Sequence, residues 1–228
     1  MFKLTPHGTR ELIVGSLVLA VLAGGLFALW RPGSLLVLPF WLWLVAFFRD
    51  PDRPIPDVPG ALVSPADGRV TDIVQLDHCE ILGGPATRIG IFLSVFDVHV
   101  NRIPCDGEVI STSYTRGAFV NAMNYAEASA RNEAMTVVIR GDDGLPAVAV
   151  KQIAGLIARR IVCTVAAGQK VTRGQRMGMI KFGSRTELYI AARLEPQAAV
   201  EVGRKVRGGA DIVATVRHAV AATAAAGR

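Results

Sequence analysis

The sequence predicts a mainly β domain with minor α content, preceded by an N-terminal membrane helical hairpin. Three observations predict it. Short runs rich in Val, Ile and Thr recur from residue 70 to residue 165. A Gly-x-x-Val turn occurs twice near the C-terminus. Two apolar runs open the chain, and they account for a mean hydropathy of +0.37 that is too high for an ordinary soluble domain. At 228 residues the chain suits one domain of moderate size plus an appendage.

Residues 1–48 form the membrane-associated hairpin. Leu12 to Trp30 is uncharged and apolar, about the ~20 residues that span a bilayer as a helix. Arg31-Pro32-Gly33-Ser34 is a turn signal. Leu35 to Phe48 is a second apolar run containing Pro39, Trp41 and Trp43, short for a span, so it either crosses or re-enters. A signal peptide is the rival reading of the first run, but no small-residue cleavage site precedes the second. Lys3, Arg10, Arg49 and Arg53 flank the outer ends, and the turn carries only Arg31. The positive-inside rule therefore places the main domain on the cytoplasmic side of the cell (inner) membrane.

Residues 49–60 are a linker, with four prolines in twelve positions that exclude helix and sheet. The domain at 61–228 follows. Val70 to Leu76, Thr87 to Val95, Gly107 to Ser113, Met135 to Arg140, Ala147 to Ile153 and Ile161 to Val165 read as strands. Met177 to Phe182 and Leu188 to Ala192 are strand-like as well. Asn121 to Arg131 has helical composition, and Asp142-Asp143-Gly144 is a hairpin turn. Gly168-Gln-Lys-Val-Thr-Arg-Gly174 is echoed by Gly203-Arg-Lys-Val-Arg-Gly208. Such pairs mark barrel-sandwich, hammerhead-like domains. Ala214 to Arg228 is alanine-rich and reads as a frayed helix or disordered tail.

Charge and cysteines narrow the function classes. A net charge of +6 and a pI near 9.6 suit an anionic lipid surface or an acidic substrate. The basic residues are scattered without aromatic interleaving, which argues against nucleic acid. Cys79, Cys105 and Cys163 form no C-x-x-C and no ligand cluster with the four histidines, so no metal is expected. Buried free thiols in a reducing compartment fit them.

Three segments could carry chemistry. Ser64-Pro65-Ala66-Asp67-Gly68 is a turn at the domain edge, placed to hold a carboxylate that orients an imidazole. Phe96-Asp97-Val98-His99-Val100-Asn101-Arg102 packs four polar side chains where an apolar strand ends, and strand periodicity puts Asp97, His99 and Asn101 on one face. Gly183-Ser184 joins two strand-like runs. Glycine leaves its carbonyl open to attack, and the neighbouring serine hydroxyl can convert that peptide bond to an ester. Elimination and hydrolysis would then leave a pyruvoyl group, an electrophile made from the chain itself. Two other classes compete. A membrane-tethered biotinyl/lipoyl-like hammerhead module would use Lys170 or Lys205, though neither has the usual neighbours. A membrane serine peptidase would use Ser184 and His99, though Gly-x-Ser-x-Gly is absent.

Phe47-Phe48-Arg49-Asp50-Pro51, Ser64-Pro65-Ala66-Asp67-Gly68, Phe96-Asp97-Val98-His99-Val100-Asn101-Arg102 and Phe182-Gly183-Ser184, in this order, resemble the phosphatidylserine decarboxylase family in its short form. The resemblance implies self-cleavage between Gly183 and Ser184 into a β subunit, 1–183, and an α subunit, 184–228. Ser184 would become the pyruvoyl cofactor, with no metal. The amine of phosphatidylserine would form a Schiff base with it, and loss of CO₂ would give phosphatidylethanolamine. The partners implied are phosphatidylserine, the membrane lipid surface, the two fragments of one chain, and further copies in a homo-oligomer. Asp67 and His99 would lie near the pyruvoyl site. Longer members carry a second histidine three positions after the one matching His99, and here that position is Arg102. Either His99 takes both jobs or processing relies on strain and backbone geometry. Arg102, with Asn101 beside it, becomes a candidate for binding the substrate's carboxylate or phosphate.

Overall fold

The protein is seen here as a computed structural model that describes residues 3–118, 125–141, 144–155, 160–181 and 184–217. It divides into two compact units. One holds the chain up to Asp52 together with Val95–Val98, and the other holds the rest.

In the first unit, α1 (Thr9–Leu29) is followed by a 3-10 stretch, Arg31–Val37, and then α2 (Leu38–Phe47). The chain doubles back because small residues on α1 admit large ones from α2. Gly15 lies against Leu44, where a Cβ would come within 2.6 Å of Leu44 Cδ2. Trp41 Nε1 donates to Ser16 Oγ at 3.1 Å. The open end is closed by backbone bonds, from Thr5 N to Phe48 O at 2.9 Å and from Asp50 N to Lys3 O at 2.7 Å. No residue of α1 is buried, and Leu17, Val21, Phe27 and Leu29 are all exposed. A helix this apolar, with no buried residue and large apolar side chains left exposed, is built for lipid. Pro6–Leu29 is long and apolar enough to cross a bilayer, and Arg31–Phe47 is shorter.

The second unit is an antiparallel β structure. Its strands are β1 (Ala61–Val63), β2 (Gly68–Cys79), β3 (Gly84–Leu93), β4 (Val100–Arg102), β5 (Gly107–Thr115), β6 (Ala134–Arg140) and β7 (Pro146–Ala154). They continue with β8 (Ile161–Cys163), β9 (Lys170–Val171), β10 (Arg176–Ile180), β11 (Ser184–Ala191), β12 (Gln197–Ala198), β13 (Lys205–Val206) and β14 (Ile212–Thr215). Eight of them form one curled sheet in the order β13-β2-β3-β11-β7-β6-β5-β9. The small sheets β1-β14-β12 and β4-β10-β8 complete the domain. Each run predicted as a strand is one, with ends shifted by a few residues. The predicted helix appears as α3 (Tyr125–Arg131), and its first four positions lie outside the described residues. The predicted hairpin turn joins β6 to β7. Asp142 and Asp143 lie outside the described residues, and Gly144 takes φ 78° with its N–H on Gly141 O at 3.0 Å. One expectation needs correcting. Ala214 and Thr215 belong to β14 rather than to a tail, because β14 pairs with both β1 and β12. Residues 218–228 lie outside the described residues.

The glycine echo belongs to a larger internal two-fold. Pro65-Ala66-Asp67-Gly68-Arg69-Val70 is matched by Pro104-Cys105-Asp106-Gly107-Glu108-Val109, and the two copies make the same bonds. Val70 exchanges backbone bonds with Gly203 and Arg204, as Val109 does with Gly168 and Gln169. Asp67 Oδ1 accepts from Gly208 N at 2.8 Å, and Asp106 Oδ1 accepts from Arg173 N at 2.9 Å. Strand pair β1·β14 repeats as β4·β10, with a register shift at the same place. Ile55 of the linker touches both glycine turns, since a Cβ on Gly174 or on Gly209 would meet its Cδ1.

β11 is the strand that unifies the large sheet. It pairs with β3 on one side and β7 on the other, and all eight of its residues are buried. Ser184, Thr186, Leu188 and Ile190 share one face by strand alternation; Arg185, Glu187 and Tyr189 share the other. The second face holds a buried ion network. Arg185 donates through Nε to Glu187 Oε1 at 2.8 Å, through Nη1 to Thr71 Oγ1 at 2.6 Å and through Nη2 to Asp72 Oδ2 at 2.6 Å. Tyr189 OH and Ser129 Oγ donate to Glu187 Oε2, at 2.7 and 3.0 Å. Gly90 leaves the space, because a Cβ there would collide with the Arg185 guanidinium.

Burial alone pushes the Asp72 carboxyl up, but the hydrogen bond and charge of Arg185, helped by Thr71 and Arg88, hold it below the usual carboxylate range. A depressed folded value means a stability contribution that is whole above about pH 4 and lost as pH falls through the folded value. Asp72→Asn should therefore be less stable than wild type at pH 7, with the gap closing as the solution is acidified below about pH 4. Denaturant midpoints at pH 7 and pH 3 measure this; a gap that stays constant refutes it.

Candidate functional site

Ser184 is the first residue of β11, opposite Leu93 on β3 and Ala154 on β7. Its side chain is wholly buried, and its Oγ has no hydrogen-bond partner among the described residues. Leaving a buried hydroxyl unpaired costs about 1–3 kcal/mol, so the position is a functional one or a strained one. Gly183 and Phe182, on the other side of the predicted cleavage point, lie outside the described residues. The flanking strands belong to different sheets. β10 ends at Ile180 in the β4-β10-β8 sheet, and β11 begins at Ser184 in the eight-stranded one. Ser184 thus stands at a sheet-to-sheet crossing and not in a hairpin turn.

His99 immediately precedes β4 and is fully buried. Its carbonyl accepts from Ile180 N at 3.3 Å, which lays its backbone beside the end of β10, four positions ahead of Ser184. Asp97 does not share a strand face with His99 and Asn101. It sits in a bend within Val95–Val98, grouped with the first unit, and β4 begins only at Val100. Strand periodicity fails there because the chain is turning.

Asn101, at the centre of β4, is the hub of the site. Its Nδ2 donates to Pro65 O at 3.3 Å and to Thr186 Oγ1 at 3.1 Å, and its Oδ1 accepts from Gln152 Nε2 at 2.8 Å. One fully buried side chain thereby ties the Pro-x-Asp-Gly turn to β11 and β7, two residues along from Ser184. Sequence reasoning passed over Gln152 and Thr186. The available signal was a pair of polar residues, Lys151-Gln152, interrupting the apolar run Ala147 to Ala154.

Arg102 is buried in the seam where the two glycine turns meet. Its Nη1 donates to Gly174 O at 2.9 Å, and a Cβ on Gly209 would come within 2.7 Å of its Cδ. Asp67 Oδ2 accepts from Arg53 at 2.7 Å, while Oδ1 holds Gly208 N. Asp106 holds its own glycine turn in the same way, so fixing a turn is the role common to both copies. Lys170 and Lys205 each begin a short strand, opposite Glu108 and Arg69, and neither stands at a free hairpin tip as a carrier lysine would.

Comparison with known proteins adds to this geometry. The family model for phosphatidylserine decarboxylase matches residues 40–214, from within α2 to within β14. The phosphatidylserine decarboxylase proenzyme of Burkholderia vietnamiensis is 47% identical over 183 residues, covering 79% of this chain and 83% of its own. That of Oleidesulfovibrio alaskensis is 41% identical over 216 residues, 95% of each. That of Saccharopolyspora erythraea is 40% identical over 213 residues, 92% of this chain and 87% of its own. With the family model and the full-length relatives in agreement, the chain belongs to the phosphatidylserine decarboxylase family.

Proposed function

We propose that this chain is a self-cleaving proenzyme whose product decarboxylates phosphatidylserine to phosphatidylethanolamine at a membrane surface. The observation that carries this reading is the Ser184 hydroxyl, buried and without a hydrogen-bond partner among the described residues at the first position of β11. No bond to a described residue has to break before it attacks. Attack on the Gly183 carbonyl moves the acyl group from nitrogen to oxygen and turns the peptide bond into an ester. Elimination expels the Gly183 carboxylate and leaves a dehydroalanine at 184. Hydrolysis of its tautomer releases ammonia and leaves the pyruvoyl group. The position fits such a group: Ser184 is buried between two paired strands, opposite Leu93 and Ala154. The group supplies a carbonyl that condenses with the substrate's amine and an amide that draws off electrons as CO₂ leaves.

The remaining work falls to side chains of the domain. His99 delivers a proton to the substrate carbon that has lost CO₂, and an imidazole is suited to this near neutral pH. Asn101 holds β4, β7 and β11 in register around residue 184. Arg102 is anchored on Gly174 O and serves either the cut or the headgroup, and Asp67 fixes the turn that carries Pro65 O against Asn101. The apolar α1 keeps the chain at its lipid substrate, and the flanking Lys3, Arg10 and Arg49 put the catalytic domain on the cytoplasmic side. The net charge of +6 favours a headgroup carrying both phosphate and carboxylate.

Intact mass and a denaturing gel test the cut. Wild type should give two pieces split between 183 and 184, the smaller one blocked to N-terminal sequencing, and Ser184→Ala should stay whole and inactive. A Ser184→Ala chain that still splits there refutes the reading. For the proton donor, His99→Ala should lose roughly 10²–10⁴-fold in turnover per cut chain. Full activity per cut chain would make His99 structural. Arg102→Ala, scored in the same two assays, separates the roles left open for Arg102: loss of the cut alone assigns it to processing, and a raised KM in chains that are cut assigns it to the headgroup.

A further inference from the structure

The Asn101 hub has a loose end. Pro65 O only accepts hydrogen bonds, so the Asn101 atom facing it at 3.3 Å must be the amide nitrogen. The Asn101 oxygen then faces Gln152, and the Gln152 atom 2.8 Å from it must in turn be a nitrogen. The orientation of both amides is fixed by chemistry. What remains is Gln152 Oε1, fully buried, compelled to be an acceptor, and without a donor among the described residues. Gln152 lies opposite Thr186, and Ala154 lies opposite Ser184, so Gln152 and Ser184 project to the same face of adjacent strands. Such diagonal neighbours stand roughly 7–8 Å apart at Cα, within reach of a side chain as long as glutamine. Two buried polar atoms without a partner among the described residues, a hydroxyl and a carbonyl oxygen, thus lie on one face of adjacent strands.

We infer that Gln152 is a substrate-binding residue, whose Oε1 accepts a hydrogen bond from the amine nitrogen of the serine headgroup. This rests on the decarboxylase reading above. Conversion of Ser184 removes the hydroxyl diagonal to Gln152, and the substrate that must reach residue 184 brings an N–H donor in its place. A neutral amide suits the task better than a carboxylate. A carboxylate would raise the amine's pKa and hold it protonated, whereas the reaction needs its lone pair. The amide marks the nitrogen's position and leaves its basicity alone.

The test compares binding of phosphatidylethanolamine with phosphatidylethanol, the same headgroup without its amine, in mixed micelles. Gln152→Met keeps the length and volume of the side chain and removes the acceptor together with the Nε2 donor to Asn101; loss of that second bond would weaken both lipids alike, so the difference between them reads the acceptor. Cut Gln152→Met enzyme should bind phosphatidylethanolamine roughly 10- to 100-fold more weakly than wild type, over and above any change in binding of phosphatidylethanol. An equal change for the two lipids overturns the assignment. So does a Gln152→Met chain that melts like wild type yet stays uncut, because the acceptor then serves the Ser184 hydroxyl instead. If that variant does not fold, wild type labelled at the glutamine side-chain carbonyl carries the test. The Gln152 resonance should move with phosphatidylethanolamine and not with phosphatidylethanol; a resonance that ignores both overturns the assignment. A wild-type chain that is neither cut nor active refutes the decarboxylase reading itself, whereas cut, active wild type with an unaffected Gln152→Met removes only the role of Gln152.

Discussion

The placement of β11 between β3 and β7 is the constraint on which the rest of the structure depends. A strand paired on both sides from its first residue holds that residue where neither water nor motion easily reaches it. The same pairing decides what a break before Ser184 does. Beyond Ser184 the chain contributes β11 to β3 and β7, β13 to β2, and β14 to β1. Every one of those partners lies before the break. The short fragment is therefore woven into the long one by four ladders, and cutting the chain changes its covalent connection without releasing it. Arg185 adds a lock one residue from the break, joining β11 to Thr71 and Asp72 of β2.

The internal two-fold shows where a scaffold becomes a site. In one copy the positions before the Pro-x-Asp-Gly turn are Gly60, Leu62 and Val63; in the other they are His99, Asn101 and Arg102. The backbone relations are the same: Val216 N bonds to Gly60 O at 2.8 Å, and Ile180 N bonds to His99 O at 3.3 Å. Where the first copy has a glycine and two apolar side chains, the second has three polar ones buried in the same frame. Burying polar groups costs free energy unless they are bonded, and the apolar copy shows that the fold does not require them. The departure from symmetry is what the proposed site is built on, whereas Asp67 and Asp106, common to both copies, each hold a glycine turn.

Most of this fold was legible because period-two strands and Gly-Pro turns are local signals, and β2, β3, β5, β6 and β7 came out where Val-, Ile- and Thr-rich runs lay. Ser184, His99, Asn101 and Arg102 were legible as motif residues. Three things were not. Thr186 and Gln152 are single polar residues in buried strands, and only the pairing of β11 with β7 brings them to Asn101. Asp97 was assigned a face by periodicity, which carries no information once the chain bends. The two-fold was half visible, because the glycine turns share letters, whereas β1 and β4 share backbone bonds and almost no side chains.

The two faces of β11 explain why so much charge is buried beside the site. On one face Arg185 spends all three of its guanidinium nitrogens on fixed partners. On the other, Ser184 Oγ and Gln152 Oε1 are left without any among the described residues. A buried ion network adds little net stability over well-packed apolar residues, since desolvation consumes most of the Coulombic gain. Its return is directional: three bonds from a rigid fork fix the strand's position along its axis and about it, which apolar contacts do only loosely. A side chain without a partner of its own among the described residues needs that rigidity from its neighbours. An unsatisfied hydroxyl is tolerable at residue 184 because residues 185 and 187 hold the strand still, so it does not relax towards a new partner.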